Sequence, residues 1–347
     1  MTPTGWRFCG NRQAVDRLRS AAARRSPRHA FLFSGVPSLG KGTLARRFAQ
    51  TLLCEQPTAG DPCFACASCR RVMRDVHPDI SIFSLDQQTA AGSDRASKSS
   101  SLTIETARAI AAQAPLRPLN GDWRFVIVED AELLLPDAQE ALLKTVEEPP
   151  AFMVLVLVTD DLEAILPTIR SRCELVEFGA TPIKEIEQFL LDREIEPEIA
   201  EAAATFSNGA PGWAIRASED PDLIEENASI VEQAASWIES TDFDRIATAF
   251  AMSDVLARQR ADTIAVIEAS AGLWRDSMLV RSGNSDRITY RAHSDLTARL
   301  AGSHDIAELL GALSAVWTCL DDLRINVRPR LALESMVLSW PKMPARS

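Results

Sequence analysis

Several things are missing from this chain of 347 residues, and each absence excludes something. No apolar run approaches the length needed to span a bilayer, which argues against an integral membrane protein. Excess positive charge is missing too. With a net charge of −11 the molecule as a whole is a poor stand-alone ligand for nucleic acid. No heptad pattern is sustained long enough for a coiled coil, and no internal repeat is found. The amino terminus carries no secretory leader pattern, so the seven cysteines are expected in a reducing, cytoplasmic setting where disulfides are disfavoured.

What remains is the composition of a globular protein, 46% apolar and 24% charged, long enough for two or three domains. The charge is uneven. Residues 1–50 hold ten Lys or Arg and only Asp16 on the acidic side, a balance of +9 that leaves −20 for the rest. This basic segment could face nucleotide, DNA or an acidic neighbour, and most of its arginines read as an ordinary solvated helix face.

The most informative stretch is residues 29–79. An apolar strand, Ala30 to Phe33, leads through Ser34 into the loop Gly35 to Lys41. A helix then carries Leu44, Phe48 and Leu52 on one face. This is G-x-x-x-x-G-K between strand and helix, where loop N–H groups converge on a phosphate and Lys41 supplies a cation. Gly35, Gly40, Lys41, Gly42 and Thr43 are its candidate contacts. A plain strand–helix turn with a surface lysine is the alternative. One feature of the motif is lacking, because Gly42 stands where Ser or Thr would hold magnesium. Thr43 comes one residue late, a rotation of about 100° around the helix. Mg-ATP is therefore a possible ligand with a defective site.

Cys54, Cys63, Cys66 and Cys69 form C-x8-C-x2-C-x2-C, a spacing suited to a tetrahedral structural zinc ion. No His or carboxylate nearby supplies an open catalytic position. Disulfides or unligated thiols are the alternatives.

Further along, Ile80 to Leu85 reads as a strand, 86–101 as a flexible Ser-rich loop, and Thr103 as the cap of a helix to Ala114. Asn120-Gly121 marks a turn before the strand Arg124 to Val128. The acids after that strand, Glu129 and Asp130, stand where a P-loop ATPase places carboxylates near metal and water, but in reversed order. Asp130 could equally cap the next helix. Pro136 to Glu148 is a helix stopped by Pro149 and Pro150. Phe152 to Val158 is a buried strand, with Thr159 and Asp160 at the end where open α/β sheets collect ligands. Ser171-Arg172-Cys173 precedes the strand Leu175 to Phe178. Strands alternating with helices predict a parallel α/β sheet. Beyond residue 180 the pattern is helical, with five of the seven tryptophans after residue 200 expected in core or interhelical packing.

Taken together, HAFLFSG…GKGTLARRFA, the four-cysteine insert, His77-Pro78-Asp79, LLKTVEEPP, IRSRC and NVRPRLALE at 326–334 resemble the bacterial AAA+ clamp-loader subunits of DNA polymerase III. Likeness is strong over 1–220 and weaker beyond. Four features resemble the delta-prime branch more than the gamma/tau ATPase branch. They are the HPD motif, the missing hydroxyl at Gly42, the altered acids after the third strand, and Gly212 where the ATPase carries a sensor arginine, with Arg216 a turn further on.

The resemblance implies a RecA-like AAA+ P-loop domain over 1–179 with a zinc module at 54–69. A small helical lid over 180–220 and an all-α collar domain over 221–347 would follow. It also implies no ATP turnover by this chain, and Arg172 acting as an arginine finger in trans on ATP held by a neighbour. Without the resemblance, Arg172 would simply pair with Glu174 or Asp161. The partners implied are gamma/tau ATPase subunits, delta, the sliding clamp and, through the assembly, primer-template DNA, in a hetero-pentamer. The alternatives are an active gamma/tau-type ATPase and a nucleotide-independent zinc scaffold.

Overall fold

A computed structural model describes residues 5–85, 101–256, 258–324 and 327–343. It divides into two compact units: 1–195 with 209–215, and 196–208 with 216–347. The segment expected as a lid is shared between them.

The first unit is built on five strands, β1 (Ala30–Ser34), β2 (Ile80–Phe83), β3 (Arg124–Val128), β4 (Met153–Thr159) and β5 (Glu174–Glu177). They lie side by side in the order β2-β3-β4-β1-β5, and every pairing is parallel. Parallel neighbours need crossovers, and helices supply them on both faces. The strands' period of two therefore divides two apolar cores. On one face Phe31, Phe33, Phe125 and Val156 pack with Phe48, Leu44 and Trp6. Leu32, Val126, Leu155 and Leu157 point the other way, onto Leu142, Ile110 and Ile169. Because β4 is buried along its whole length, it carries no polar residue before Thr159.

The helices of this unit are α1 (Arg12–Ala23), α2 (Lys41–Leu53), α3 (Ala67–Val72), α4 (Ile104–Gln113), α5 (Pro136–Glu147), α6 (Pro167–Arg170) and α7 (Ile183–Leu191), of which α2 to α6 lie in the connections between strands. Thr103 stands at the amino-terminal cap of α4, but its side chain makes no capping bond. The Ser-rich stretch lies outside the described residues except for Ser101. Strand β2 ends at Phe83, two residues short of the expected Leu85, whose N–H goes instead to the Asp130 carboxylate.

The second unit is helical throughout its described residues. Helices Asp222–Glu239, Asp242–Val255, Arg260–Arg281, Ser294–Ser303, Ile306–Arg324 and Pro329–Leu338 enclose one core. Trp237 and Trp274 both pack edge-on to Trp340 within it. Trp317 departs from the expectation for tryptophans, being about half exposed on its helix. Among the described residues no helix is long and apolar enough to cross a membrane.

Candidate functional site: a phosphate loop and a four-cysteine cluster

The carboxyl ends of β1, β3 and β4 are adjacent in the sheet, so Gly35, Glu129 and Asp160 emerge along one edge. The loop after β1 winds into α2 at Gly40, and Lys41 opens the helix with its side chain only 4% exposed. A buried ammonium needs partners. Lys41 Nζ donates to the carbonyls of Gly35 and of Val36 (2.7 Å) and to Asp160 Oδ1 at 2.6 Å. Asp160 is steadied in turn, its N–H donating to Glu132 Oε2 at 3.2 Å. Burial raises the pKa of Glu132.

One residue along the helix, Gly42 lies against Glu129. Arg46, one turn later on the same face, donates Nη1 to Glu129 Oε1 at 2.6 Å and Nη2 to Oε2 at 3.3 Å, while Nε reaches Asp75 Oδ1 at 3.0 Å. Burial works against the Arg46 charge, yet Glu129 and Asp75 hold its pKa above the ordinary value. Thr43 is exposed one position further round. Asp130 sits in a left-handed conformation (φ 57°), and its carboxylate accepts the Leu85 N–H rather than capping the turn that follows.

Gly212, where the resemblance would put a sensor arginine in the ATPase branch, is held by backbone. Gly212 N–H donates to Ser38 O at 2.8 Å, and a Cβ at Gly212 would fall 2.8 Å from that same oxygen. Only glycine fits without displacing the loop.

Arg172 follows α6. Its guanidinium is 40% exposed, pairs through Nε with Glu147 Oε1 at 2.7 Å, and donates Nη1 to Thr168 O at 2.9 Å. The pair is with Glu147 of the LLKTVEEPP stretch, and not with Glu174 or Asp161. Glu174 is bound by Arg17 and Arg28. Burial pushes the neighbouring Cys173 thiol up to about 12, which disfavours the thiolate.

The four sulfur atoms of Cys54, Cys63, Cys66 and Cys69 all lie within 4.8 Å of one another, and none of the seven cysteines forms a disulfide. Tetrahedral zinc thiolate bonds of about 2.3 Å put sulfurs about 3.8 Å apart; Cys63 and Cys69 stand at 4.0 Å. Backbone N–H groups aim at the sulfurs: those of Gln56 and Cys63 at Cys54 Sγ, of Cys66 at Cys63 Sγ and of Cys69 at Cys66 Sγ, at 3.2–3.4 Å. Such donors favour thiolate, and those of Ala65 and Cys66 hold Cys63 down at about 6. Burial pushes Cys54 and Cys69 up. The donor set fits a structural zinc ion.

His77-Pro78-Asp79 ties this cluster to the sheet. His77 Nδ1 accepts the Asp79 N–H at 3.1 Å, so the proton is on Nε2, which donates to Ser68 Oγ at 3.0 Å. Asp79, fully buried, receives the N–H groups of Leu119 and Asn120 and fixes the turn before β3.

Sequence reasoning missed Arg46, Glu147 and the ion pair of Asp160 with Lys41. Arg46 left a signal, standing four residues from Gly42, while Asp160 and Glu147 lie in stretches that the sequence singles out for other reasons, the end of β4 and LLKTVEEPP.

A parallel sheet in this order, with a phosphate loop after β1 and carboxylates at the ends of β3 and β4, defines the AAA+ class of P-loop proteins. The family described as "DNA polymerase III, delta subunit" matches residues 10–182, about half of the chain. The chain belongs to this family.

Over 315 residues it is 24% identical to DNA polymerase III subunit delta' of Bacillus subtilis, covering 89% of this chain and 90% of that protein. With subunit delta' of Escherichia coli the identity is 32% over 189 residues, 54% and 53% of the two chains. With subunit gamma/tau of Mycobacterium tuberculosis it is 32% over 162 residues, 47% of this chain and 26% of that one. The chain thus spans about a quarter of the length of the gamma/tau relatives and about half of the E. coli delta' subunit.

Proposed function

We propose that this chain is the non-hydrolysing, delta-prime-type member of a clamp loader. It supports ATP-dependent loading of a sliding clamp onto primed DNA by lending Arg172 to a neighbouring subunit's ATP. The partners in this reading are gamma/tau-type ATPase subunits and delta in a hetero-pentamer, with primer-template DNA engaged through the assembly. The division of labour is an AAA+ domain over 1–179, a lid over 180–220 and a helical collar over 221–347.

The observation that carries the reading is a contrast between two cations. Lys41, which would meet phosphates in this chain, is buried and occupied by Asp160 and two loop carbonyls. Arg172 is at the surface, oriented by Glu147 and Thr168. A guanidinium held in this way is ready to meet developing phosphate charge elsewhere. The cysteine cluster is read as a structural zinc site, and Gly35, Gly40, Lys41, Gly42, Thr43, Glu129 and Asp130 as the remains of a nucleotide site.

Mixing the purified chain with ATPase subunits, delta and clamp tests this. Loading should require the chain, and the chain alone should hydrolyse no ATP. Turnover by the isolated chain that disappears in Lys41→Ala would promote the ATPase reading instead. Failure to associate with those subunits would leave a zinc scaffold.

A further inference from the structure

The residues at the magnesium corner of this phosphate loop do not fit a divalent cation. Three observations agree. Position 42 supplies no hydroxyl, and an ideal Cβ there would lie 2.3 Å from Glu129 Oε1 and 3.1 Å from Arg46 Nη1. Glu129, the carboxylate at the end of β3, is engaged on both oxygens by the Arg46 guanidinium. Arg46 is itself anchored by Asp75, so it is held from two sides rather than resting loosely.

We infer that Arg46 is a specificity-determining residue that takes the place of magnesium, making any polyphosphate binding at Gly35–Lys41 independent of divalent metal. A guanidinium paired in fork geometry presents one positive charge where the metal would bring two. A dication approaching Glu129 must displace Arg46 or be repelled by it. The same geometry explains Gly42. Restoring the usual hydroxyl by Gly42→Ser puts the new Cβ into the Arg46–Glu129 pair, so that substitution alone cannot rebuild a metal site. Removing Arg46 releases Glu129, whose flexible carboxylate can then turn away from position 42.

This inference rests on reading Gly35–Lys41 as a phosphate loop and makes no use of Arg172. It can therefore fail while the trans-finger reading stands, and the reverse.

The experiment is calorimetric titration of ATP into the full chain, once with excess Mg²⁺ and once with EDTA. Wild type, Gly42→Ser, Arg46→Ala and the double variant Arg46→Ala/Gly42→Ser are compared, with thermal melts as a folding control. Wild type and Gly42→Ser should give the same isotherm with and without Mg²⁺, whether weak binding or none. The folded double variant should bind at least tenfold more tightly with Mg²⁺ than with EDTA, and Arg46→Ala alone should move the same way by less. Magnesium-dependent binding in wild type would overturn the inference. So would a folded double variant that shows no magnesium dependence.

Discussion

At the scale of single residues, the candidate nucleotide site is defined by how its own side chains satisfy one another. Lys41 is legible as a phosphate-loop lysine from spacing alone, but its partner is not, because Asp160 lies 119 positions away and meets it only through the strand order. Gly42 is legible as a missing hydroxyl. That a larger residue would collide with Glu129 is not, since the collision depends on where β3 ends relative to α2. Gly212 is the same kind of case: its sequence position suggests a lost arginine, and the structure adds that its backbone is bonded to Ser38. Gly212→Ala should therefore destabilise the protein by about 1–3 kcal/mol through overpacking. Chemical denaturation with a probe in the sheet unit would measure it.

At the scale of elements, strand positions and helix faces follow from periodicity, and the five strands fall within two or three residues of where alternating and continuous apolar runs put them. The capping bond at Thr103 and the last two residues of β2 do not. In both places a side chain found another partner: Asp130, 45 residues away, took the Leu85 N–H, and Thr103 hydrogen-bonds the Glu105 side chain.

The cysteine insert behaves as one element. With zinc bound, the four thiols should resist a thiol reagent. Stripping the metal with a chelator should expose all four and lower the melting temperature. Equal reactivity before and after would dismiss the metal.

His77 connects that element to β2, and its pKa is lowered, chiefly by burial. The neutral ring is the form that accepts the Asp79 N–H, so its contribution is intact above the ordinary histidine value of 6.5. It is lost as pH falls through the lower value of the folded state. The gap in melting temperature between wild type and His77→Ala should accordingly narrow on acidification. A gap that widened would mean that the ring is charged in the fold.

At the scale of the whole molecule, composition pointed to a globular multi-domain protein, and motif order pointed to the clamp-loader family. The helical texture after residue 180 marks where the alternation of strands and helices stops. How the segment 180–220 divides between them was not legible, because helix periodicity says which face is apolar and not which neighbour covers it.

In the proposed function this chain donates Arg172 to a neighbour and leaves its own phosphate loop idle. The most direct test is steady-state ATP hydrolysis by the reconstituted assembly, with single substitutions placed only in this subunit. Arg172→Ala should lower turnover at the neighbouring site it serves by about 10³–10⁵-fold, while Lys41→Ala leaves the assembly's rate unchanged. A rate that falls with Lys41→Ala and holds with Arg172→Ala would contradict the account.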